Sequence, residues 1–273
     1  MDKSFVNYAH RGASQYAPEN TMMAFYMGMQ MGANGIETDV HKTKDGVIVL
    51  FHDDTLERVT GCSGSICDYT WEQLQEIYVK KGELFDRIPS FQDFLEHFAF
   101  RDITFAIELK QADIYRETAD LILRYGVAEK TVVTSFQYEE LCKMRSYAPF
   151  LKTGYLTSEV TEELLADMTR QGIGELCPKA SLLKPEKVAY WHSRGFCVRA
   201  WGITDEAVMK HACGCGVDGM TVNFPDKLTK YIREKKHGQQ DNRACHRRQL
   251  HYPSHTRGGV PGLFGAVSVD RQA

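Results

Sequence analysis

Residues 103–126, "ITFAIELKQADIYRETADLILRYG", decide the reading of the fold. A short strand-like run, "ITFAIEL", gives way within a few residues to a helical pattern that stops on Gly126, where a helix C-terminus favours glycine. Working outward, the same strand-then-helix unit recurs. Upstream, "FVNYAH" (5–10) precedes "TMMAFYMGMQMG" (21–32), and "GIETDV" (35–40) and "VIVLFH" (47–52) follow. Next come helical patterns at "WEQLQEIYV" (71–79) and "SFQDFLEHF" (90–98), the latter with Ser90 as N-cap and Asp93 three residues on. Downstream, "TVVTSF", "LKTGYL", "GELCP", "FCVRAW" and "GMTV" each precede a helical pattern, the last being "PDKLTKYIREKK" (225–236). Repeated β-then-α units imply a parallel sheet with helices outside it. An eight-fold (β/α)8 TIM-type barrel, somewhat distorted, fits the length best. Nine strand candidates compete for eight places. The misfit lies at "DVHKTKDGVIV" (39–49), where the link is too short for a helical crossover, so that unit lacks its helix or one strand is a hairpin partner. A doubly wound sheet is the alternative, but no Gly-rich phosphate turn follows the first strand.

The 273 residues carry a net charge of -3, 43% hydrophobic and 25% charged residues, which favours neither nucleic acid nor an acidic membrane surface as partner. No apolar run approaches the roughly 18 residues that span a bilayer. The N-terminus "MDKSFVNYAH" lacks the apolar core of a signal peptide, so a cytoplasmic location is expected. The eight cysteines are scattered without Cys-x-x-Cys spacing and are expected to be mostly reduced and buried. The barrel domain is expected over 1–236, with 55–89 as a small cap over its mouth. Residues 237–273, with five arginines against two aspartates and four of the ten histidines, read as a disordered or foreign tail.

Active sites of such barrels lie at the carboxyl ends of the strands. There the chain places His10 and Arg11, then Glu37 and Asp39 on one strand face, then His52 and Asp53, then Glu108 and Lys110 on one face. One acid is often a salt bridge, and one histidine is more often structural than a ligand. Two histidines, three carboxylates and a lysine on four successive strand ends are harder to assign to structure alone. Three converging carboxylates repel one another unless a cation lies among them. An all-oxygen set suits one divalent cation, Mg2+ or Ca2+, better than zinc. Arg11 and Lys110 add positive charge for a phosphate, and two imidazoles can divide the proton transfers. The chemistry read from these parts is metal-assisted phosphodiester cleavage.

"HRG" with "PENT" (18–21), "GIETDV", "KDGVIVLFHDDTLERVTGCSG", "IELK" and "GVDGMTVNFPD" resemble the glycerophosphodiester phosphodiesterase family across residues 5–233 and in family order. The resemblance implies a distorted barrel of the PLC-like phosphodiesterase type. It implies a divalent metal at Glu37, Asp39 and Glu108, an acid/base pair at His10 and His52, and phosphate contacts at Arg11 and Lys110. The implied reaction is hydrolysis of small glycerophosphodiesters to sn-glycerol 3-phosphate and an alcohol. Nothing read here fixes an oligomeric partner. Glu19 and Asn20 are expected to brace the site. Phe136 and Trp201 either wall the glycerol pocket or pack in the core. Asp53 is expected to face away from His52 and make a structural hydrogen bond. Two departures from the family pattern, Thr221-Val222-Asn223 where Thr-Asp is usual and "RAWGIT" in place of Trp-Thr-Val-Asn, are expected to touch the substrate rim. The competing readings are a lysophospholipase D or sphingomyelinase D-like activity on the same barrel, and a silent barrel used for binding. The second is disfavoured because all seven central residues are present.

Overall fold

The computed structural model describes residues 5–235, so the expectation for 237–273 lies outside the described residues. The chain divides into two units, Met1–Ile232 and Arg233–Ala273; of the second, only 233–235 are described, and they are helical. Eight strands pair in parallel all the way round: β1 (Val6–His10), β2 (Gly35–Lys42), β6 (Thr104–Leu109), β7 (Thr131–Ser135), β8 (Lys152–Thr157), β9 (Glu175–Pro178), β10 (Cys197–Ile203) and β11 (Gly219–Val222). β11 returns to β1 and closes the barrel. The ninth candidate, β3 (Ile48–Leu50), pairs antiparallel with β2, Val40 opposite Leu50, and is the hairpin partner that the short link allowed.

Outside the barrel wall run α1 (Met22–Gln30), α4 (Phe91–Phe98), α5 (Tyr115–Arg124), α6 (Tyr138–Tyr147), α7 (Glu162–Gln171), α8 (Pro185–Ser193) and α9 (Glu206–Cys215). Helix α4 starts on a capping box: Ser90 accepts from the Asp93 amide while Asp93 accepts from the Ser90 amide. Its fully buried Phe94 sits among Phe25, Phe98 and Phe105, with ring centroids 5.0, 5.0 and 5.3 Å away, pinning α1 and α4 to the barrel. No helix of the described residues is long and apolar enough to cross a membrane.

The segment after β3 departs from its sequence reading. The helix expected over 71–79 stops early: Thr70 and Gln73 form a capping box for the short α3 (Trp71–Leu74), but the chain then turns into a hairpin, β4 (Tyr78–Lys81) with β5 (Leu84–Arg87). Ile77, Tyr78 and Val79 favour extended backbone, and Gly82, at φ 59°, supplies the turn. With the short α2 (Glu57–Thr60), this segment builds its own cluster from Phe51, Leu56, Ile66, Leu74, Ile77, Val79 and Ile88.

Inside the barrel, alternation sends Tyr8, Ala106 and Val132 into one layer. Above Tyr8 lies Arg199, its guanidinium 5.0 Å from the ring centroid and its Nε donating to Glu175 at 2.8 Å. Gly35 is required here, since a Cβ would stand 2.5 Å from the Tyr8 ring. Of the seven described cysteines only Cys177 and Cys215 are buried; Cys67 is exposed and the others are intermediate. The expectation of general burial fails because most of these cysteines sit on helices and in the segment after β3, not in the barrel layers.

Candidate active site

The site begins where β1 ends. Arg11 adopts φ 55° and Gly12 φ 81°, which turns the chain sharply off the strand. A Cβ on Gly12 would meet the Ala24 backbone at 2.4 Å, so only glycine lets the loop lie against the start of α1. The Arg11 amide donates to the Glu37 carbonyl at 2.9 Å and to its carboxylate at 3.1 Å, tying the turn to β2.

Register then gathers the acids. Asp39 lies opposite Glu108 on the neighbouring strand, and His10 opposite Glu37 on the other side. Glu37, Asp39 and Glu108 are all buried, and one oxygen of each lies within 4.8 Å of the other two. Burial, reinforced by the Asp39 charge, pushes the Glu108 carboxyl up to about 7. Burial pushes Glu37 up as well, with Asp39 and Glu108 adding to it. Oδ1 of Asp39 is buried without a hydrogen-bond donor, with Lys110 Nζ 4.0 Å away. Three crowded carboxylates and one undonated oxygen fit a hard dication, which prefers oxygen ligands.

Asn20, expected to brace the site, reaches this cluster. It is buried at φ 56°, donates Nδ2 to Asp39 Oδ2 at 2.9 Å and accepts from Thr38 at 2.8 Å. Glu19 accepts from Arg11 Nη1 at 2.8 Å, and Arg11 Nε also stands 3.3 Å from Asp39. Lys110 bridges the acids to a histidine: its Nζ lies 2.9 Å from Glu108 and 3.1 Å from His52 Nε2.

The two histidines have different partners. His10 Nδ1 stands 2.5 Å from Asn223 Oδ1, which also accepts from Ser14, and its Nε2 stands 3.9 Å from Glu37. Burial and then the Arg11 charge push its imidazole down to about 4, so it is neutral at pH 7. His52 Nδ1 stands 2.6 Å from Asp53 Oδ1. Asp53 therefore does not face away. β3 stops at Leu50, so strand alternation no longer applies at 52–53 and the carboxylate turns back on the ring. Asp53 does make a hydrogen bond, to the histidine itself. Asn223, expected at the substrate rim, instead holds a site histidine.

Phe136 and Trp201 meet edge to face at 4.9 Å; Phe136 is exposed and Trp201 half-buried, so the pair is not packed in the core. Trp201 donates to the Thr157 carbonyl at 3.3 Å. Two contributors, Lys179 and Arg58, escaped the sequence reading. Lys179 follows β9 and places its ammonium 5.8 Å from the Trp201 ring centroid. Its position after "ELCP", at a strand end, was the available signal. Asn223 was noticed but misplaced. Arg58, on α2, donates to both Glu19 and Asp53, and no strand pattern points to it. A cavity of about 630 Å³ opens at the other end, beside Val6, Thr104, Thr131 and Gly219, where strands begin; its buried ion pair, Glu175 with Arg199, is internally satisfied.

Comparison with known proteins agrees with this geometry. The model of the glycerophosphoryl diester phosphodiesterase family matches residues 10–227. A glycerophosphodiester phosphodiesterase of Caldanaerobacter subterraneus subsp. tengcongensis is 32% identical over 235 residues, covering 83% of this chain and 97% of that one. One from Bacillus altitudinis is 31% identical over 84% of this chain and 98% of its own. Among solved structures, an Oleispira antarctica phosphodiesterase in complex with the product sn-glycerol-3-phosphate superposes with a TM-score of 0.77 at 24% identity, over 84% of this chain and 96% of that one. The glycerophosphodiester phosphodiesterase of Agrobacterium tumefaciens gives 0.74 at 25% identity, over 82% and 99%. The chain belongs to the glycerophosphoryl diester phosphodiesterase family and is a phosphoric diester hydrolase.

Proposed function

We propose that the protein hydrolyses glycerophosphodiesters to sn-glycerol 3-phosphate and an alcohol, with one divalent cation, Mg2+ or Ca2+, held by Glu37, Asp39 and Glu108. The single observation that carries this reading is the buried carboxylate triad, with its undonated Asp39 oxygen, at the same rim as two imidazoles. Such a cation supplies the Lewis-acid charge that holds phosphate oxygens and offsets charge during displacement. Arg11 and Lys110 add fixed donors toward the same phosphate.

His10 serves as the base. It is neutral at pH 7, and with Asn223 Oδ1 accepting from Nδ1–H, its Nε2 lone pair is free to take the proton of the nucleophile, either water or a neighbouring substrate hydroxyl whose cyclic product water then opens. His52 serves as the acid: Asp53 Oδ1 accepts from Nδ1–H and fixes the ring, and Nε2, which accepts from the Lys110 ammonium at 3.1 Å, gives a proton to the leaving alkoxide once Lys110 has turned to the phosphate and the ring has taken up a second proton. The Nδ1 proton on each ring is assigned from its oxygen partner, Asn223 Oδ1 or Asp53 Oδ1. Phe136, Trp201 and Lys179 line the side of the rim that receives the glycerol or head group. The segment 55–89 caps the mouth, and the enzyme works in the cytoplasm on water-soluble diesters. The test is release of glycerol 3-phosphate from glycerophosphocholine and glycerophosphoethanolamine, before and after chelation. Loss on chelation and return with Mg2+ or Ca2+ is expected. Full activity after removal of divalent ions refutes the cation's role, and faster turnover of long-chain lysophospholipids would transfer the reading to a lysophospholipase D.

A further inference from the structure

Arg58 lies outside every strand end, yet it touches both halves of the site. Its Nε donates to Asp53 Oδ2 at 2.5 Å and its Nη2 to Asp53 Oδ1 at 3.1 Å. The same Nη2 donates to Glu19 Oε1 at 2.6 Å, and Nη1 to Glu19 Oε2 at 3.0 Å. The shared oxygens matter most. Glu19 Oε1 is the atom that accepts from Arg11, and Asp53 Oδ1 is the atom that meets His52 Nδ1. One guanidinium nitrogen thus contacts both oxygens that orient a residue at the reacting centre.

We propose that Arg58 is a positioning residue: it locks the phosphate-facing Arg11 and the Asp53-held His52 into a single arrangement, and so couples the first turn after β3 to the reaction geometry. This inference rests on the hydrolytic reading of the site given above. The run Arg11–Glu19–Arg58–Asp53–His52 alternates cation, anion, cation, anion and imidazole. Removing its central member leaves two carboxylates facing each other and releases both from their fixed rotamers. The Arg58 side chain is 49% exposed, so its ion pairs contribute little to stability. Geometry is what it supplies, since its planar fork addresses two carboxylates at once while a lysine is a point charge. A displacement of about 1 Å in a reacting group can cost on the order of 100-fold in rate.

The test compares wild type, Arg58→Ala, Arg58→Lys and Arg58→Gln in glycerol 3-phosphate release from glycerophosphocholine, with melting temperature recorded for each. The expected result is a fall in kcat of about 30- to 100-fold for Arg58→Ala, a rise in KM, and a melting temperature within a few degrees of wild type. Arg58→Lys recovers less than about tenfold of that loss, and added guanidinium ion restores part of it in Arg58→Ala. Arg58→Ala combined with Asp53→Asn should cost no more than the worse single change, because both break one unit. Should Arg58→Ala fail to fold, Arg58→Gln, which keeps the aliphatic stem but not the guanidinium, carries the same comparison. Independently of turnover, the His52 Nδ1 proton resonance should move in Arg58→Ala. A kcat within twofold of wild type, or multiplying effects in the double variant, or an unmoved His52 resonance overturns the inference. Wild type that releases no glycerol 3-phosphate from any diester overturns instead the hydrolytic reading, and the resonance still decides whether Arg58 orients His52.

Discussion

Replacing Asn223 with aspartate should move the acid limb of the pH–rate profile. Asn223 Oδ1 lies 2.5 Å from His10 Nδ1, and Ser14 donates to the same oxygen, so a carboxylate introduced there would keep its place and one of its donors. The neutral amide now gives the imidazolium no counter-charge, and His10 lies near pH 4. A unit charge pair about 4 Å apart is worth roughly 4 kcal/mol at an effective dielectric of 20, an upper figure before solvent is admitted at the rim. One pKa unit corresponds to about 1.4 kcal/mol, so the rise should be roughly 1–3 units. His10 must be unprotonated to act as base. Wild-type kcat/KM should therefore stay level down to about pH 5, whereas the variant should fall below about pH 6, by about tenfold at a pH one unit under its new pKa. The assay is kcat/KM for glycerophosphocholine from pH 4.5 to 9 with saturating cation. An acid limb that moves by less than about 0.3 units, in a folded variant, refutes His10 as the base or Asn223 as its partner.

Other outcomes follow from the same contacts. His10→Ala or His52→Ala should each lower turnover by at least about 100-fold, and near wild-type rates in either would remove that residue from proton transfer. Phe94→Ala, at the centre of the cluster of Phe25, Phe98 and Phe105, should cost about 3–5 kcal/mol in denaturant unfolding, against less than about 1.5 for Phe94→Leu if the rings repack. Burial alone would raise Glu19, but its bonds to Arg58 and the charge of Arg11 hold it at about 2; Asp53 is likewise held at about 2, by Arg58 and His52 against burial. Carboxyls depressed in the folded state stabilise it above their unfolded values near pH 4, and that contribution fades as pH falls toward 2. Acid unfolding should lose on the order of 1–2 kcal/mol through this window, after allowance for the half-exposed guanidinium, and Arg58→Ala should flatten the slope there.

How far the site could be read from the sequence depended on distance along the chain. Alternation along β2 was enough to place Glu37 and Asp39 on one face, and the same rule placed Glu108 with Lys110. The short link at 39–49 left a missing helix or a hairpin partner as the alternatives, and β3 is the hairpin partner. What failed had its cause elsewhere in the chain. Asn223 is 213 residues from His10, so its hydrogen bond depends on barrel closure and no local pattern carries it. Asp53 was misoriented because strand alternation was extended two residues beyond a strand that ends at Leu50. The helix expected over 71–79 gave way to a hairpin because pairing across Gly82 outweighed a weak helical pattern. Arg58 was invisible for a related reason: its partners, Glu19 and Asp53, come from two separate loops, and only the folded chain brings them within reach of one guanidinium.

The account stands or falls on the shared dication. The most direct measurement counts Mn2+ bound per chain at equilibrium, by the loss of free-ion paramagnetic resonance signal, in chelator-stripped wild type and in Asp39→Asn, with Mg2+ and Ca2+ as competitors. One ion per wild-type chain, displaced by either competitor and lost or weakened at least about tenfold in Asp39→Asn, is the predicted result. Equal binding by both proteins, or no binding by a wild type that still releases glycerol 3-phosphate, would contradict it.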